Sequence, residues 1–363
     1  MTKDLLYLDY AATTPLAPSA RAAMERGFDM LGNPSSIHRA GRAARDAINA
    51  VRLDLANHFG VTQGQVIFTS GGTEANALAL HQVQQERRFA SAIEHEAVLA
   101  WVPEANHLPV TPNGVLDLEA AEAKLSEAEP GLVSLMAANN ATGARQPVEA
   151  AAKLAAAHGH LVHCDAVQAF GKIPLDLAAL GADFLTVSAH KIGGPKGIGA
   201  LIVKDGFPLQ SLLRGGGQER RRRPGTENLI GILGLGGALE TIERYGDMAQ
   251  FLPLMEQVIA HVGLQNVAAY GAERFPHILS IQMPGIKNQL QLMRFDLDGI
   301  CVSAGSACSS GKVAGNHVLE AMGYGDRSEE FIRVSFGPET TQGDVARFLA
   351  AWDKIQNSAK AAA

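Results

Sequence analysis

Lys191 stands in the segment Phe184-Leu-Thr-Val-Ser-Ala-His-Lys-Ile-Gly-Gly-Pro-Lys-Gly-Ile-Gly-Ala200, just behind Ser188 and His190. An amine forms a Schiff base with a carbonyl only while uncharged, and a desolvated position favours that form. Four other clusters share the pattern of a short apolar run that ends in polar groups. Ser70-Gly71-Gly72-Thr73 follows residues 65–69, and Glu94-His95-Glu96 follows residues 89–93. Asn139-Asn140 follows residues 132–137, while Asp165 and Gln168 follow residues 160–164. The first cluster leads into a helical pattern over 74–81. A glycine turn at a helix start makes an anion site, because free N–H groups and the helix dipole converge there. The same four residues also read as an ordinary tight turn. No Lys-Ser/Thr pair follows the glycines, so this is not a nucleotide P-loop.

These clusters depend on strands to position them. Residues 5–15 are a short strand-like run closed by a turn, 33–38 a polar loop, and the Ala/Arg pattern to about 59 an amphipathic helix. Strands at 65–69, 89–93, 132–137, 160–164 and 184–187 then alternate with helices, among them 147–158 and a short one at 176–180. Pro147 at its start and Gly159 at its end delimit the longer of these helices. This βαβ rhythm predicts an α/β fold with a mostly parallel, doubly wound sheet. Ligands of such sheets bind beyond the carboxyl ends of the strands. Five consecutive strands end there in Thr73, His95, Asn140, Asp165 with Gln168, and Ser188 with His190 and Lys191. From about residue 247 the pattern changes to a long helix and shorter strand-like segments, which suggests a second, smaller domain. It carries Arg333 inside the apolar run Phe331-Ile-Arg-Val-Ser335, where a guanidinium needs an anionic partner such as a substrate carboxylate.

Pyridoxal phosphate needs a lysine for its aldehyde, an anion site for its phosphate and a carboxylate against its ring nitrogen. Lys191, residues 70–73 with Ser188 and His190, and Asp165 supply these groups, with His95 as a flat ring and Gln168 as a donor. A nicotinamide cofactor makes no use of the lysine. The run Gly231-Ile-Leu-Gly-Leu-Gly-Gly237 follows no strand and reads as a close-packed helix, not a dinucleotide loop. Four adjacent arginines, Arg220 to Arg223, read as a solvated face or as an arginine-rich nucleic-acid-binding module. A net charge of -6 opposes the second reading and any attraction to an anionic membrane.

The rest of the composition describes an ordinary soluble chain. It has 363 residues, 47% hydrophobic and 19% charged, and a mean hydropathy of +0.03. No apolar run spans a bilayer, and the start Met1-Thr-Lys-Asp4 lacks a signal-peptide core. Cys164, Cys301 and Cys308 are odd in number and form no CxxC pair. That argues against a disulfide framework and against a metal site, and points to a reducing cytoplasm. Cys164 precedes Asp165 in a strand and should point away from it; Cys301 lies on an apolar run and reads as core. Cys308, in Val302-Ser-Ala-Gly-Ser-Ala-Cys-Ser-Ser-Gly311, has small polar neighbours that suit an exposed loop and a reactive thiolate.

The motifs YLDYAATTP, NPSSIH, FTSGGTEAN, EHEAV, NNATG, HCDAVQ, SAHKIGGPKGIGAL, GGGQERRRRPGTEN, SAGSACSS and IRVS occur in this order along the chain. Together they resemble the cysteine desulfurases, fold type I pyridoxal 5'-phosphate enzymes of the class V aminotransferase-like group. The resemblance implies an N-terminal arm at residues 1–13 packing with the small domain. It further implies a large cofactor domain at 14–247 and a small α/β C-terminal domain at 248–363 bearing the cysteine loop. By the same resemblance Lys191 bonds the cofactor aldehyde, Asp165 pairs with the ring nitrogen, and His95 stacks on the ring. Gln168 contacts the phenolic oxygen, and Gly72, Thr73, Ser188 and His190 hold the phosphate, joined by Thr226 from a second subunit. Asn140 and Arg333 bind the substrate carboxylate, with Asn140 also near the cofactor, and Cys308 is the nucleophile that forms a persulfide.

The expected activity converts L-cysteine to L-alanine and passes sulfur to an acceptor protein, either an iron–sulfur scaffold or a thiolation enzyme. The expected assembly is a homodimer. A selenocysteine lyase or an aminotransferase of the same fold would share most of these residues. Two departures bear on the details. Ala141 replaces a glutamate that many relatives carry, and the chain ends soon after Arg333 without the longer tail used to dock a scaffold.

Overall fold

A computed structural model describes residues 5–305 and 316–362, so Cys308 lies outside the described residues. Strand β1 (Leu6–Tyr7) comes first. Seven strands then build one sheet: β2 (Val66–Thr69), β3 (Arg88–Ser91), β4 (His107–Leu108), β5 (Leu132–Met136), β6 (Leu161–Asp165), β7 (Phe184–Ser188) and β8 (Gly199–Val203). Their order is 2-8-7-6-5-3-4. Pairing is parallel from β7 through β6, β5 and β3 to β4, while β8 runs antiparallel to both neighbours. The mostly parallel α/β sheet expected from the alternation is present. Strand β8 is an addition, an apolar run folded back beside β7 by the glycine-rich turn after Lys191.

Central strands covered on both faces must be apolar throughout or must satisfy their polar groups internally. Strand β6 does the second. His163 is fully buried, with Nδ1 2.8 Å from Ser134 Oγ on β5 and Nε2 3.0 Å from Thr186 Oγ1 on β7. Burial pushes this imidazole down to about 4, so it crosses the sheet as a neutral bridge. Side chains alternate along a strand, so Asp165 shares the face of His163 while Cys164 takes the other and packs into the main core.

The run Gly231 to Gly237 lies in the helix Leu229–Leu239, packed on the helix Pro18–Phe28. A Cβ on Gly237 would sit 2.5 Å from the Ser19 carbonyl oxygen, so small residues are required by close packing and not by a dinucleotide. One expected helix is absent. Residues 176–180 form a hydrogen-bonded turn, with Asp176 Oδ1 accepting from Ala179 N at 2.8 Å and the carbonyl of Asp176 from Leu180 N at 3.0 Å. Pro174 before it and Gly181, with φ of +68°, after it leave no room for a further turn of helix.

The second core is smaller. Strand β9 (Ile278–Gln282) pairs antiparallel with β11 (Phe331–Ser335), and β10 (Ile300–Cys301) pairs parallel with β1. Leu6 and Leu8 of the N-terminal segment bury among Phe295, Phe348 and Trp352 of this core. Cys301 is a correction: it is half-buried on a short edge strand and not in the core. Among the described residues no helix is long and apolar enough to cross a membrane.

The arginine run is divided by its surroundings. Arg220 and Arg221 are exposed, whereas Arg223 pairs with Glu74 at 2.7 Å. Glu219, Arg220 and Arg221 have φ of 45°, 57° and 68°, a left-handed stretch that costs about 1–2 kcal/mol per residue. The buried Glu219 offsets that strain by holding Arg52 with both oxygens, at 2.6 and 2.7 Å, and by accepting from Phe68 N at 3.1 Å. Removing one partner of a buried pair strands the other, at about 3–5 kcal/mol. Glu219→Ala is therefore expected to lower the denaturant midpoint sharply. Combined Arg52→Met and Glu219→Leu should recover part of the loss. A double variant less stable than Glu219→Ala alone would contradict this role.

Candidate active site

The carboxyl ends of β2, β3, β5, β6 and β7 converge on one cavity. Gly72, Thr73, His95, Asn140, Asp165, Gln168, Ser188, His190 and Lys191 line it, and Arg333 closes it from β11 of the smaller core. Thr226 is exposed on the loop 214–228 and does not line it. Lys196 is exposed beyond the Gly-Gly-Pro turn and is likewise absent from the cavity.

Lys191 ends a short 3-10 turn that continues β7. Its Nζ donates to the carbonyl oxygens of Ala11 and Ala12, at 2.6 and 2.8 Å. Gln168 Nε2 donates to the same Ala11 oxygen at 2.8 Å, which leaves that amide one further N–H. His190 Nδ1 lies 3.2 Å from Thr13 Oγ1. Burial, then the charges of Lys191, Lys196 and Lys172, push His190 down to about 4, so it faces the cavity as a neutral ring.

Opposite the lysine, Gly71 takes φ of +151° and caps the helix Gly72–Leu80. That conformation belongs to glycine, and it turns the first N–H groups of the helix towards the cavity. A Cβ on Gly72 would come within 3.0 Å of Val167 Cγ2, so the cradle needs a bare backbone. Glu74 in the first turn is bound by Arg223 and by Ser70 N. These hold its carboxyl below the usual range although burial alone would raise it.

Asp165 and Glu94 share one low-dielectric region and behave differently. Asp165 accepts from Asn76 Nδ2 at 2.7 Å and from Val167 N at 2.9 Å. Glu94 has no exposed surface, accepts only from Met136 N at 2.6 Å, and leaves Oε2 without a partner. Burial, then the charge of Asp165, raises the Glu94 carboxyl well above the ordinary range and so favours its neutral form. His95 is fixed as the cap of the helix Glu96–Leu99, its Nδ1 accepting from Ala97 N at 3.0 Å. The proton of this neutral imidazole is then on Nε2. Burial lowers its basicity further, against the pull of Asp165.

Arg333 is 3% exposed, and the anionic partner that its apolar strand requires is Asp9, at 2.6 Å from Nη2. Its Nη1 donates to the carbonyls of Asn140 and Gly305, while Nε is buried without a partner. Ala141 is also explained. It is 1% exposed among Ile93, Val318, Leu319 and Phe331, an apolar setting in which a glutamate would be an unpaired buried charge.

Sequence reasoning missed Asn76, Asp9 and the role of Glu94. Asn76 had a signal: it lies four residues past Gly72, hence on the same helix face. Asp9 had none, since its partner is 324 residues away. The donor set fits pyridoxal phosphate: an amine, a bare helix start, a carboxylate with two donors, a flat neutral ring and an arginine line one space.

The two acids give a pH prediction. A carboxyl whose folded pKa lies above its unfolded value keeps more protons when folded. Its contribution is complete below the unfolded value, about 4.5 here, and falls as pH rises towards the folded one. Glu94→Gln removes this loss. The variant should gain stability relative to the parent as pH rises above the unfolded carboxyl value, read as the difference in denaturation midpoint. A constant difference would mean that Glu94 is ionised in the fold.

Comparison with known proteins agrees with this geometry. Residues 6–348 match the family model described as aminotransferase class-V. A cysteine desulfurase of Cereibacter sphaeroides is 40% identical over 377 aligned positions, covering 99% of this chain and 97% of that protein. Cysteine desulfurase IscS of Dictyoglomus turgidum is 36% identical, covering 97% and 95%. The solved NifS-like protein of Rickettsia africae superposes with a TM-score of 0.89 at 33% identity, covering 97% and 99% of the two chains. This chain belongs to the class-V aminotransferase family and, within it, to the cysteine desulfurases, enzymes that depend on pyridoxal phosphate.

Proposed function

We propose that this enzyme converts L-cysteine to L-alanine and hands the sulfur to an acceptor protein, working as a cytoplasmic homodimer. The observation that carries the reading is the arrival of Lys191, Asp165, His95 and Arg333 at one cavity from four different strands. Pyridoxal phosphate, when bound, supplies an aldehyde for an amine and an electron sink for the substrate's Cα.

The chain's own residues do the rest. Lys191 would hold the cofactor through its aldehyde and would carry the proton at the substrate Cα. Asp165, oriented by Asn76 and Val167 N, keeps a proton on the ring nitrogen. His95 would offer its neutral ring to the cofactor, and Gln168 would offer it the spare N–H. Gly72, Thr73, Ser188 and neutral His190 take the phosphate, completed by Thr226 of a second copy. Asn140 and Arg333 receive the substrate carboxylate.

Cys308 is the nucleophile of this scheme. Its thiolate forms an S–S bond with the substrate sulfur as the C–S bond breaks, and the carbon takes up a proton to become alanine. The persulfide then carries the sulfur to an iron–sulfur scaffold or a thiolation enzyme.

Two experiments test the reading. Borohydride reduction and peptide mapping should place the pyridoxyl label on Lys191. A label on Lys196 with Lys191 unmodified would overturn the assignment. Cys308→Ser should bind cofactor and L-cysteine yet lose at least about a hundredfold in alanine and sulfide release, as expected when a covalent nucleophile is removed. Cys164→Ala and Cys301→Ala should keep most activity. Undiminished alanine formation by Cys308→Ser would mean that no persulfide forms there, as in an aminotransferase or lyase.

A further inference from the structure

A second lysine lies under the first. Lys172 follows β6 in the turn that begins with Ala166 and is 6% exposed. Its Nζ is buried and has no hydrogen-bond partner. A lysine that can reach solvent extends its ammonium there; this one turns inward. It faces a small closed space walled by Lys191, Tyr10, Thr14, Tyr245 and His277. The space holds about one water molecule.

Around this space stand the two lysines, hydroxyls, neutral rings and apolar side chains. Both ring nitrogens of the buried His277 lack a partner, and burial followed by the charges of Lys172 and Arg274 keeps the imidazole uncharged. Tyr10 and Tyr245 are driven up by burial and remain phenols, with the Tyr10 hydroxyl turned to Glu339 at 3.2 Å. No carboxylate lines the space. His190, on the far side of Lys191, is neutral. A buried ammonium without an acid is costly, and among the described residues no hydrogen bond offsets that cost.

We propose that Lys172 is a positioning residue for the chemistry of Lys191: across this space it sets how readily the Lys191 nitrogen gives up its proton, with His277 and a single bridging water as its partners. Two cations in one desolvated region each weaken the other's hold on a proton, which is a general means of activating a lysine amine. Burial, then the charge of Lys191, lowers the Lys172 ammonium to about 7. The inference rests on the reading of Lys191 as the cofactor-bonding lysine.

The test is a pH titration of the visible absorbance of the pyridoxal phosphate holoenzyme, which reports protonation of the lysine nitrogen bonded to the cofactor. Lys172→Met is expected to raise the midpoint by about one pH unit, a tenfold gain in proton affinity. Lys172→Arg, which keeps a cation at all working pH values, should leave the midpoint low. Lys172→Gln carries the same expectation if the Met variant does not fold. A purely structural lysine would lower the thermal midpoint in the Met and Arg variants alike and leave the absorbance midpoint in place. That result overturns the proposal. Borohydride mapping of each variant separates the two readings: a label that is not on Lys191 fails the cofactor assignment, whereas a label on Lys191 with an unmoved midpoint fails the role of Lys172 alone.

Discussion

The ion pair between Asp9 and Arg333, 2.6 Å long and almost excluded from solvent, is the contact on which the site's geometry depends. It joins the N-terminal segment to β11 and is reinforced by Ser335, whose N donates to the Leu8 carbonyl at 2.8 Å and whose Oγ accepts from Ala11 N at 2.9 Å. The carbonyls of Ala11 and Ala12, fixed in this way, hold Lys191, and that of Ala11 also holds Gln168. One chain of contacts therefore runs from the smaller core through the N-terminal segment to the amine at the end of β7. Losing either member of such a pair costs about 3–5 kcal/mol, and here the loss would also release the carbonyls that aim the lysine.

The same pair fixes the Arg333 guanidinium at the wall of the cavity. With Nη2 on Asp9 and Nη1 on two carbonyls, Arg333 leaves only its buried Nε without a partner. A guanidinium already anchored on three sides loses little freedom on binding, which is the benefit of preorganisation.

Elsewhere the cavity keeps charge sparse. Glu94 favours its neutral form beside Asp165, and His95 and His190 are neutral. Burial and the charge of Lys191 lower the Lys172 ammonium to about 7. In a region of low dielectric each remaining charge acts over a longer distance than in water. The few that persist, on Asp165, Arg333 and Asp9, can therefore orient a bound group strongly.

What the sequence determined was local. A short apolar run bounded by glycine, proline or polar residues makes a buried strand, and parallel strands put their carboxyl ends on one edge. From that alone Thr73, His95, Asn140, Asp165 and Lys191 were assigned to a common site. Adding the motifs identified the family. The turn at 176–180 was read as a helix because a capping aspartate looks the same in both. Tertiary structure decided what depends on distant parts of the chain. The partner of Arg333 lies 324 residues away, the apolar wall around Ala141 comes partly from residues 318–331, and Lys172 meets His277 only after the two cores close on each other. Burial and pairing of charge are properties of that closure, and no local pattern encodes them.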